Sequence, residues 1–238
     1  MTLPAERAAR GPVEPRSGSG APAGWPERCR DLVRRCPTAL LVLAATAAVA
    51  FVVLTGLVAA GTTRQLDVAV RDWFRPHDVW GEAQVRVDVL VEGLKPSRAA
   101  PLLGVVTLVT CLARWSWRPA AYAGVLLAVT AALTLATKDL LHRPDPHQDM
   151  TAVGGSYPSG HTITVLVCLG AALLVVRQRP RWWEWLVVGL VGVTMGVSLL
   201  LQAAHWLTDV VGGMLLATTV LAVAAAVRYR APDRAGPP

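Results

Sequence analysis

Six runs of apolar residues divide the chain, and their lengths give the first expectation about its fold. The runs are rich in Ala, Val and Leu, and they lack the regular polar positions of a surface helix or a half-buried strand. A helix of about 20 apolar residues crosses the hydrocarbon core of a bilayer. The sequence therefore predicts an all-α integral membrane protein, a six-helix transmembrane bundle, with spans near residues 38–61, 99–113, 120–137, 159–176, 185–201 and 208–227.

The second run, residues 99–113, is the shortest of the six. A helix of that length rises only about 22 Å, so Arg98 and Arg114 must snorkel to the surface, or the helix must extend past them. Before it, residues 62–98 alternate apolar and charged side chains, most clearly over 85–92. We interpret residues 62–98 as a short surface or interfacial element.

Both ends of the chain are polar. Residues 1–37 contain seven arginines and many Pro, Gly and Ser, without an apolar period, which predicts a mostly disordered basic tail. The first apolar run lies too far from Met1, and is too long, for a cleaved signal peptide. We therefore expect a membrane domain over residues 38–230, followed by a short C-terminal tail at 231–238.

Arginines near the span ends predict the orientation in the plasma membrane, because positively charged loops stay in the cytoplasm. The arginine-rich segments all fall on one side of the predicted bundle, at residues 1–37, 114–118, 177–181 and 228–234. Both termini are therefore expected in the cytoplasm. The opposite, extracytoplasmic side receives residues 62–98, 138–158 and 202–207, of which the first also carries several basic side chains.

Composition agrees with a membrane protein and narrows its chemistry. The chain is 53% apolar and 16% charged, and its net charge of +7 collects at span ends rather than among aromatic residues on a basic face, which argues against nucleic acid as a partner. Only Lys95 and Lys138 are lysines among the 23 basic residues, a bias typical of a high-GC bacterial genome. The four cysteines lie in the cytoplasmic tail or inside spans, so no disulfide is predicted.

A first polar loop on the extracytoplasmic side starts at Lys138 and ends in Pro158-Ser159-Gly160-His161, where the fourth span begins. Ser159 is a favoured N-cap residue, and the free N–H groups of a first helical turn bind anions such as phosphate. His161 could donate a proton to a leaving oxygen. An ordinary capped helix with a first-turn histidine explains the tetrapeptide equally well, and Lys138 could be a snorkelling anchor.

A second polar loop contains His205 and Asp209, at the start of the last span. Residues four apart share one face of a helix, so the carboxylate could fix the imidazole tautomer and leave the other nitrogen as a nucleophile. Two alternatives are a helix-capping aspartate beside an interfacial histidine, or a pair of metal ligands. The metal alternative needs further ligands, for which the candidates are His161, His147 and Asp149.

Taken together, these segments resemble the lipid phosphate phosphatase superfamily, the type 2 phosphatidic acid phosphatases related to vanadium haloperoxidases. The family signature is KxxxxxxRP, then PSGH, then SRxxxxxHxxxD. The resemblance covers Lys138 to Gly213 and the six-span layout, and it includes PSGH and HxxxD in the expected order at the expected span ends.

The resemblance implies a role for each matching residue. His205 resembles the nucleophile that accepts the phosphoryl group as a phosphohistidine, and Asp209 resembles the group that orients it. His161 resembles the acid that protonates the leaving group. The family mechanism implies no metal and no cofactor, and the expected phosphate ligands are Lys138, Ser159 and the Gly160 N–H.

The chain departs from the signature at both arginines. Asp145 occupies the first arginine position, and Leu199 occupies the second, after a matching Ser198. Loss of two cations should lower the rate or change the substrate, since phosphoryl transfer relies on charge stabilisation. We also count Arg143 as a candidate phosphate ligand, which could reach a phosphate oxygen, pair with Asp145, or simply lie at the membrane surface.

These observations predict a metal-independent membrane hydrolase with its site on the extracytoplasmic face and a lipid phosphomonoester or diphosphate as substrate. Isoprenoid diphosphate, phosphatidic acid and phosphatidylglycerol phosphate all fit this description. The alternative is a catalytically weak or inactive relative that binds lipid phosphate or serves as a membrane scaffold. Haloperoxidase chemistry is disfavoured because relatives of that kind are soluble.

Overall fold

A computed structural model of the protein describes residues 25–150 and 154–230, with side chains from Pro37 onward. All regular structure in these residues is helical, which confirms the predicted all-α class. The expected tail overlaps the start of the first helix, while residues 1–24 and the expected C-terminal tail lie outside the described residues. The helices are α1 (Trp25–Ala59), α2 (Arg64–Phe74), α3 (Glu82–Gly93), α4 (Pro96–Ala113), α5 (Arg118–Leu141), α6 (Gly160–Val176), α7 (Trp182–Leu201) and α8 (Leu207–Arg230).

Each of the six predicted apolar runs lies in a helix, with at most two of its residues beyond the helix end, as a multi-pass membrane protein requires. Among the described residues, five helical stretches are long and apolar enough to cross a bilayer, and α6 is a shorter apolar helix of 17 residues. The run at 99–113 gains length because α4 begins earlier, with Pro96 in its first turn. Together with α3 it forms an apolar stretch of 32 residues, Glu82–Ala113.

Residues 62–98 fold into two helices that pack on the bundle, which is more order than the alternating sequence pattern indicates. A 3₁₀ turn at Pro76–Asp78 separates α2 from α3. Helix α2 is amphipathic: Asp67, Val70 and Phe74 share its inward face, while Trp73 is exposed on the other side. Helix α3 packs against α7, and its Val91 belongs to the same apolar cluster as Leu199.

Helix α6 lies at the centre of the bundle, in contact with α4, α5, α7 and α8. Its sequence is apolar on every side, as expected of a helix that is surrounded by others. Val165, Val167 and Ala171 have no exposed surface, whereas α1, α4 and α5 present rows of Val and Leu outward, as lipid-facing helices do. The polar residues at the beginning of α6 are therefore held at one end of a rigid apolar core.

Small residues allow the helices around α6 to approach closely. Gly192 and Gly196 on α7, which form a small-xxx-small pair in the sequence, face Leu166 and Val210 so closely that a Cβ atom at either glycine would overlap the neighbouring side chain. Both glycines therefore serve helix packing.

Helix α8 uses two consecutive glycines to approach the turn that precedes α6. A Cβ atom at Gly213 would lie 3.0 Å from the carbonyl oxygen of Ser159, and one at Gly212 would lie 2.7 Å from the ring of Tyr157. Tyr157 is fully buried, its ring stacks on Phe51 at 6.2 Å, and its hydroxyl lies 2.9 Å from Thr55 Oγ1. Burial raises the pKa of Tyr157 to about 12, so the hydroxyl stays protonated.

We expect Gly212→Ala to destabilise the protein by about 1–3 kcal/mol, because the added Cβ atom would overlap the fully buried Tyr157 ring, which must then shift. The measurement is thermal unfolding of the purified protein in detergent. Gly124→Ala on α5 is the matched control, since nothing lies within 4 Å of a Cβ atom there. An equal unfolding temperature for the two variants would contradict this account of the α8 contact.

Candidate active site

Two imidazoles from separate helices face each other at one end of the bundle. His161 is the second residue of α6, and His205 lies two residues before α8. Their ring centroids are 6.1 Å apart and the ring planes are inclined at 65°. This spacing allows both rings to contact one small anion, so the fold brings together the two histidines that the sequence singled out.

Both histidines line a cavity of about 470 Å³ between α4, α5 and α6. Lys138 and Gly160 line it as well, so four of the seven predicted site residues surround the same space. The rest of the wall is mostly apolar and continues along α5 from Lys138 to Leu127. A polar end joined to an apolar slot is the general form of a site for an amphipathic ligand.

Ser159 caps α6, as the sequence predicted. Its Oγ accepts hydrogen bonds from the N–H of Thr162 at 3.4 Å and from Thr162 Oγ1 at 3.1 Å. Its own N–H donates to the carbonyl oxygen of Asp209 at 2.9 Å, which joins the start of α6 to the start of α8. The Ser159 side chain is fully buried and does not line the cavity.

His205 and Asp209 approach each other through a helix cap rather than through a shared helical face, because α8 begins only at Leu207. The Asp209 carboxylate accepts the N–H of Trp206 at 3.1 Å, which is one half of a capping box. The same oxygen lies 3.4 Å from His205 Nδ1. Asp209 thus caps α8 and contacts His205 Nδ1 through the same oxygen, and His205 Nε2 takes no part in this contact.

Lys138 is buried in the last turn of α5, and its ammonium group donates to the carbonyl oxygen of Gly155. Gly155 has φ +119°, and a Cβ atom there would lie 2.9 Å from the backbone of Arg143. An ammonium group has three donors, so Lys138 can keep this bond and still contact an anion in the cavity.

Arg143 binds two carboxylates. Its guanidinium donates to Asp209 Oδ1 at 2.7 Å and to Asp67 Oδ2 at 2.6 Å, and a third bond reaches Thr208 Oγ1 at 2.7 Å. The guanidinium carbon also lies 5.5 Å from the ring centroid of Trp206. Arg143 therefore contacts neither Asp145 nor the cavity, although the sequence suggested a pair with Asp145 or a phosphate contact.

Asp67 is a buried ionisable residue near the start of α8 that the sequence analysis did not single out. It is 1% exposed on the inward face of α2, and it bonds both to Arg143 and to the N–H of Thr208, the latter at 3.0 Å. The sequence pattern could have indicated the burial of Asp67, because this residue lies on the same apolar stripe of α2 as Val70 and Phe74. A carboxylate on such a stripe must find a buried partner, because an isolated buried charge is costly.

The two residues that replace the signature arginines each stabilise the local structure around them. Asp145 organises its own loop, since its Oδ1 accepts the N–H groups of His147 and Asp149, each at 2.9 Å. Leu199 is 1% exposed and packs in an apolar cluster with Val91. The only Arg-Pro pair in this loop is Arg143-Pro144, two residues nearer to Lys138 than the signature spacing.

The ligands that a metal would need are not gathered at this site. Among the side chains of residues 37–150 and 154–230, no group of three or more His, Cys, Asp and Glu could hold a metal ion. His147, one of the candidate ligands, lies 3.5 Å from Asp78 and 3.4 Å from Arg75 instead.

The site as a whole places two histidines and a lysine around one cavity. His205 has a carboxylate partner on one nitrogen, His161 faces it, and Lys138 supplies positive charge. The first-turn N–H groups of α6 add a partial positive charge at the same end. The arrangement can transfer a group between an oxygen and an imidazole nitrogen, and it defines an all-helical membrane protein with a histidine-pair site.

Comparison with known proteins supports the resemblance to a family. Residues 119–233 match the family model described as the PAP2 superfamily. The fold is similar to the crystal structure of a transmembrane PAP2-type phosphatidylglycerolphosphate phosphatase from Bacillus subtilis, with TM-score 0.67 and 15% sequence identity over 76% of this chain and 94% of that one. A comparison with curated protein sequences found no match. The match of residues 119–233 to this family model, together with the similar fold, confirms the family resemblance drawn from the motifs.

Proposed function

We propose that this protein is a membrane lipid phosphatase that cleaves a lipid phosphomonoester or diphosphate through a phosphohistidine. The observation that carries the proposal is the placement of His161 and His205, 6.1 Å apart, in the wall of one cavity. The match to the PAP2 superfamily model supports a phosphatase, and the similar fold of a phosphatidylglycerolphosphate phosphatase supports a lipid substrate.

In the proposed first step, His205 Nε2 attacks the phosphorus atom while the bond from phosphorus to the leaving oxygen breaks. Asp209 holds the Nδ1 proton and stabilises the imidazolium that forms. His161 gives its proton to the leaving oxygen, so that the lipid departs as an alcohol or as a phosphate monoester. Water then attacks the phosphohistidine with His161 as the base, and inorganic phosphate is released.

The negative charge of the transferring group needs donors that already lie in the cavity. Lys138 and the Gly160 N–H line it, and we assign the first phosphate contacts to them. The other two expected ligands, Ser159 and Arg143, bond to protein groups, so a direct phosphate contact would require them to exchange these bonds. No cation replaces the arginine at the buried Leu199 position, and we expect slower turnover than in a relative with both arginines.

The shape of the cavity favours a lipid over a soluble phosphate. Its apolar wall along α5, from Lys138 to Leu127, spans about 16 Å of helix rise. A single acyl or isoprenoid chain would occupy this slot while its head group lies at the histidines. The substrate would then reach the site from the bilayer, without leaving the membrane.

The rival function is a phosphate-binding or scaffolding relative without turnover. One observation favours it: Arg143, a candidate phosphate ligand, is bound to Asp67 and Asp209 and does not line the cavity. Retention of the histidine pair and of Asp209 argues for catalysis, because lipid binding alone requires neither a paired imidazole nor a carboxylate behind it.

We expect His205→Ala to abolish phosphate release from lipid phosphates in detergent micelles and to prevent ³²P labelling of the acid-quenched protein. His161→Ala should slow both steps, since the leaving oxygen then lacks its proton donor. His142→Asn is the matched control, because His142 is exposed, lies outside the cavity and has the left-handed conformation that Asn tolerates. If the wild-type protein releases no phosphate from any lipid tested, the result would favour the rival function without turnover.

Ala131→Trp should raise KM for a long-chain substrate severalfold by filling the slot beside α5, and should leave a short-chain soluble phosphate unaffected. The adjacent Ala132→Trp is the control, because Ala132 is exposed and does not line the cavity. Equal effects of both variants on the two substrates would contradict the assignment of the slot to a lipid chain.

We also propose that the site faces the extracytoplasmic side, as the distribution of arginines indicates. A cysteine in place of the exposed Met150 should react with an impermeant maleimide applied to intact cells. Arg179→Cys, in the exposed loop between α6 and α7, should react only after lysis. The reverse labelling pattern would invert the proposed orientation.

A further inference from the structure

The beginning of α8 is held by a second buried carboxylate from another part of the chain. The N–H of Thr208 in the first turn of α8 donates to Asp67 Oδ1 at 3.0 Å, and Thr208 Oγ1 lies 2.8 Å from Asp67 Oδ2. Asp67 belongs to α2, 141 positions earlier in the sequence. A carboxylate at this place satisfies a free N–H group and interacts favourably with the positive end of the helix dipole.

Arg143 connects this carboxylate to the one that faces the nucleophile. One terminal nitrogen of its guanidinium binds Asp67, and the other binds Asp209 Oδ1. The second oxygen of Asp209 faces His205 Nδ1 at 3.4 Å. A planar guanidinium that binds carboxylates on two sides fixes their relative position more closely than an ammonium group could.

We propose that Asp67 is a positioning residue for the His205 nucleophile, acting through Arg143 and Asp209. The inference rests on the proposed function, and it assigns Arg143 to orientation of the nucleophile rather than to the substrate phosphate. Two carboxylates share the single guanidinium, so Asp209 keeps enough of its negative charge to hold the Nδ1 proton of His205. His205 Nε2 is then the bare nitrogen that can attack phosphorus.

Removal of the Asp67 charge should disturb the nucleophile without altering the phosphate contacts. In Asp67→Asn, Arg143 keeps one carboxylate partner and moves toward it, and the Asp209 oxygens rotate away from His205. A displaced reacting group costs roughly 10-fold to 100-fold in rate. Lys138 and Gly160 line the cavity independently of α2, so KM and the inhibition constant for inorganic phosphate should change less than twofold.

The test compares Asp67→Asn with Asp72→Asn, which makes the same chemical change on the same helix at an exposed position. We expect kcat to fall at least 10-fold in Asp67→Asn, with KM and phosphate inhibition retained, and to stay at the wild-type value in Asp72→Asn. If KM and phosphate inhibition weaken instead while kcat is retained, Arg143 is a phosphate ligand and the proposal is wrong.

A second measurement separates this inference from the proposed function. The ¹⁵N chemical shifts of labelled histidines report the tautomer of His205, whose signals are assigned by their loss in His205→Ala. We expect the Nδ1-protonated tautomer in the wild type and in Asp72→Asn, and a mixture in Asp67→Asn. Unchanged His205 shifts in Asp67→Asn would overturn the inference even if the protein hydrolyses no substrate.

Arg143→Lys covers the case in which Asp67→Asn does not fold. A lysine keeps the positive charge but cannot hold two carboxylates in a fixed geometry. We expect the same mixture of His205 tautomers and the same fall in kcat. Wild-type tautomers in a folded Arg143→Lys protein would show that the two-carboxylate bridge does not position His205.

Discussion

The arrangement of the site depends on one buried interaction, the pairing of Arg143 with carboxylates from two helices. Asp67 and Asp209 are 1% and 0% exposed, and neither charge could be buried without a cation between them. The pairing joins α2, the loop after α5 and the start of α8, which are distant in sequence. Because Asp209 also accepts the Trp206 N–H, the same bonds determine where α8 begins and where His205 lies.

The sequence predicted the parts of this protein that arise from local patterns. Apolar runs located the helices, PSGH located the cap of α6, and the HxxxD spacing located the pair of His205 and Asp209. These features depend only on residues close together in the sequence, and each of them is present in the structure. The role of Arg143 could not be predicted in the same way, because its partner Asp67 lies 76 positions away. Helix periodicity places Asp67 on an apolar stripe, yet it cannot say which cation meets that stripe in three dimensions.

The segment at residues 62–98 shows a related limit of pattern reasoning. Its alternating apolar and charged residues suggested a surface element, but α2 and α3 both bury polar side chains against the bundle. Gln84 donates to the carbonyl oxygen of Leu201 at 3.1 Å, and Arg75 donates to that of Gln202 at 2.6 Å. These two carbonyl groups lie at the C-terminal end of α7, where the carbonyl oxygens have no N–H partner within the helix. The polar residues of the segment thus cap the C-terminal end of α7, the helix that precedes the His205 loop. Only the assembled fold reveals this role.

Charge balance connects the missing arginines to the chemistry that we propose. The charges of Lys138 and Arg143 cancel those of Asp67 and Asp209, and the proton that His161 gives to the leaving oxygen adds a single positive charge. A bound phosphomonoester carries about two negative charges, so part of its charge stays uncompensated. A site with two further arginines would hold the phosphate more strongly in the ground state. Such binding raises kcat only where it is stronger in the transition state. In the proposed reaction His205 becomes positively charged as it attacks, and this charge arises beside Asp209. A nucleophile held firmly by Asp209 would therefore gain importance as the cations around the phosphate become fewer.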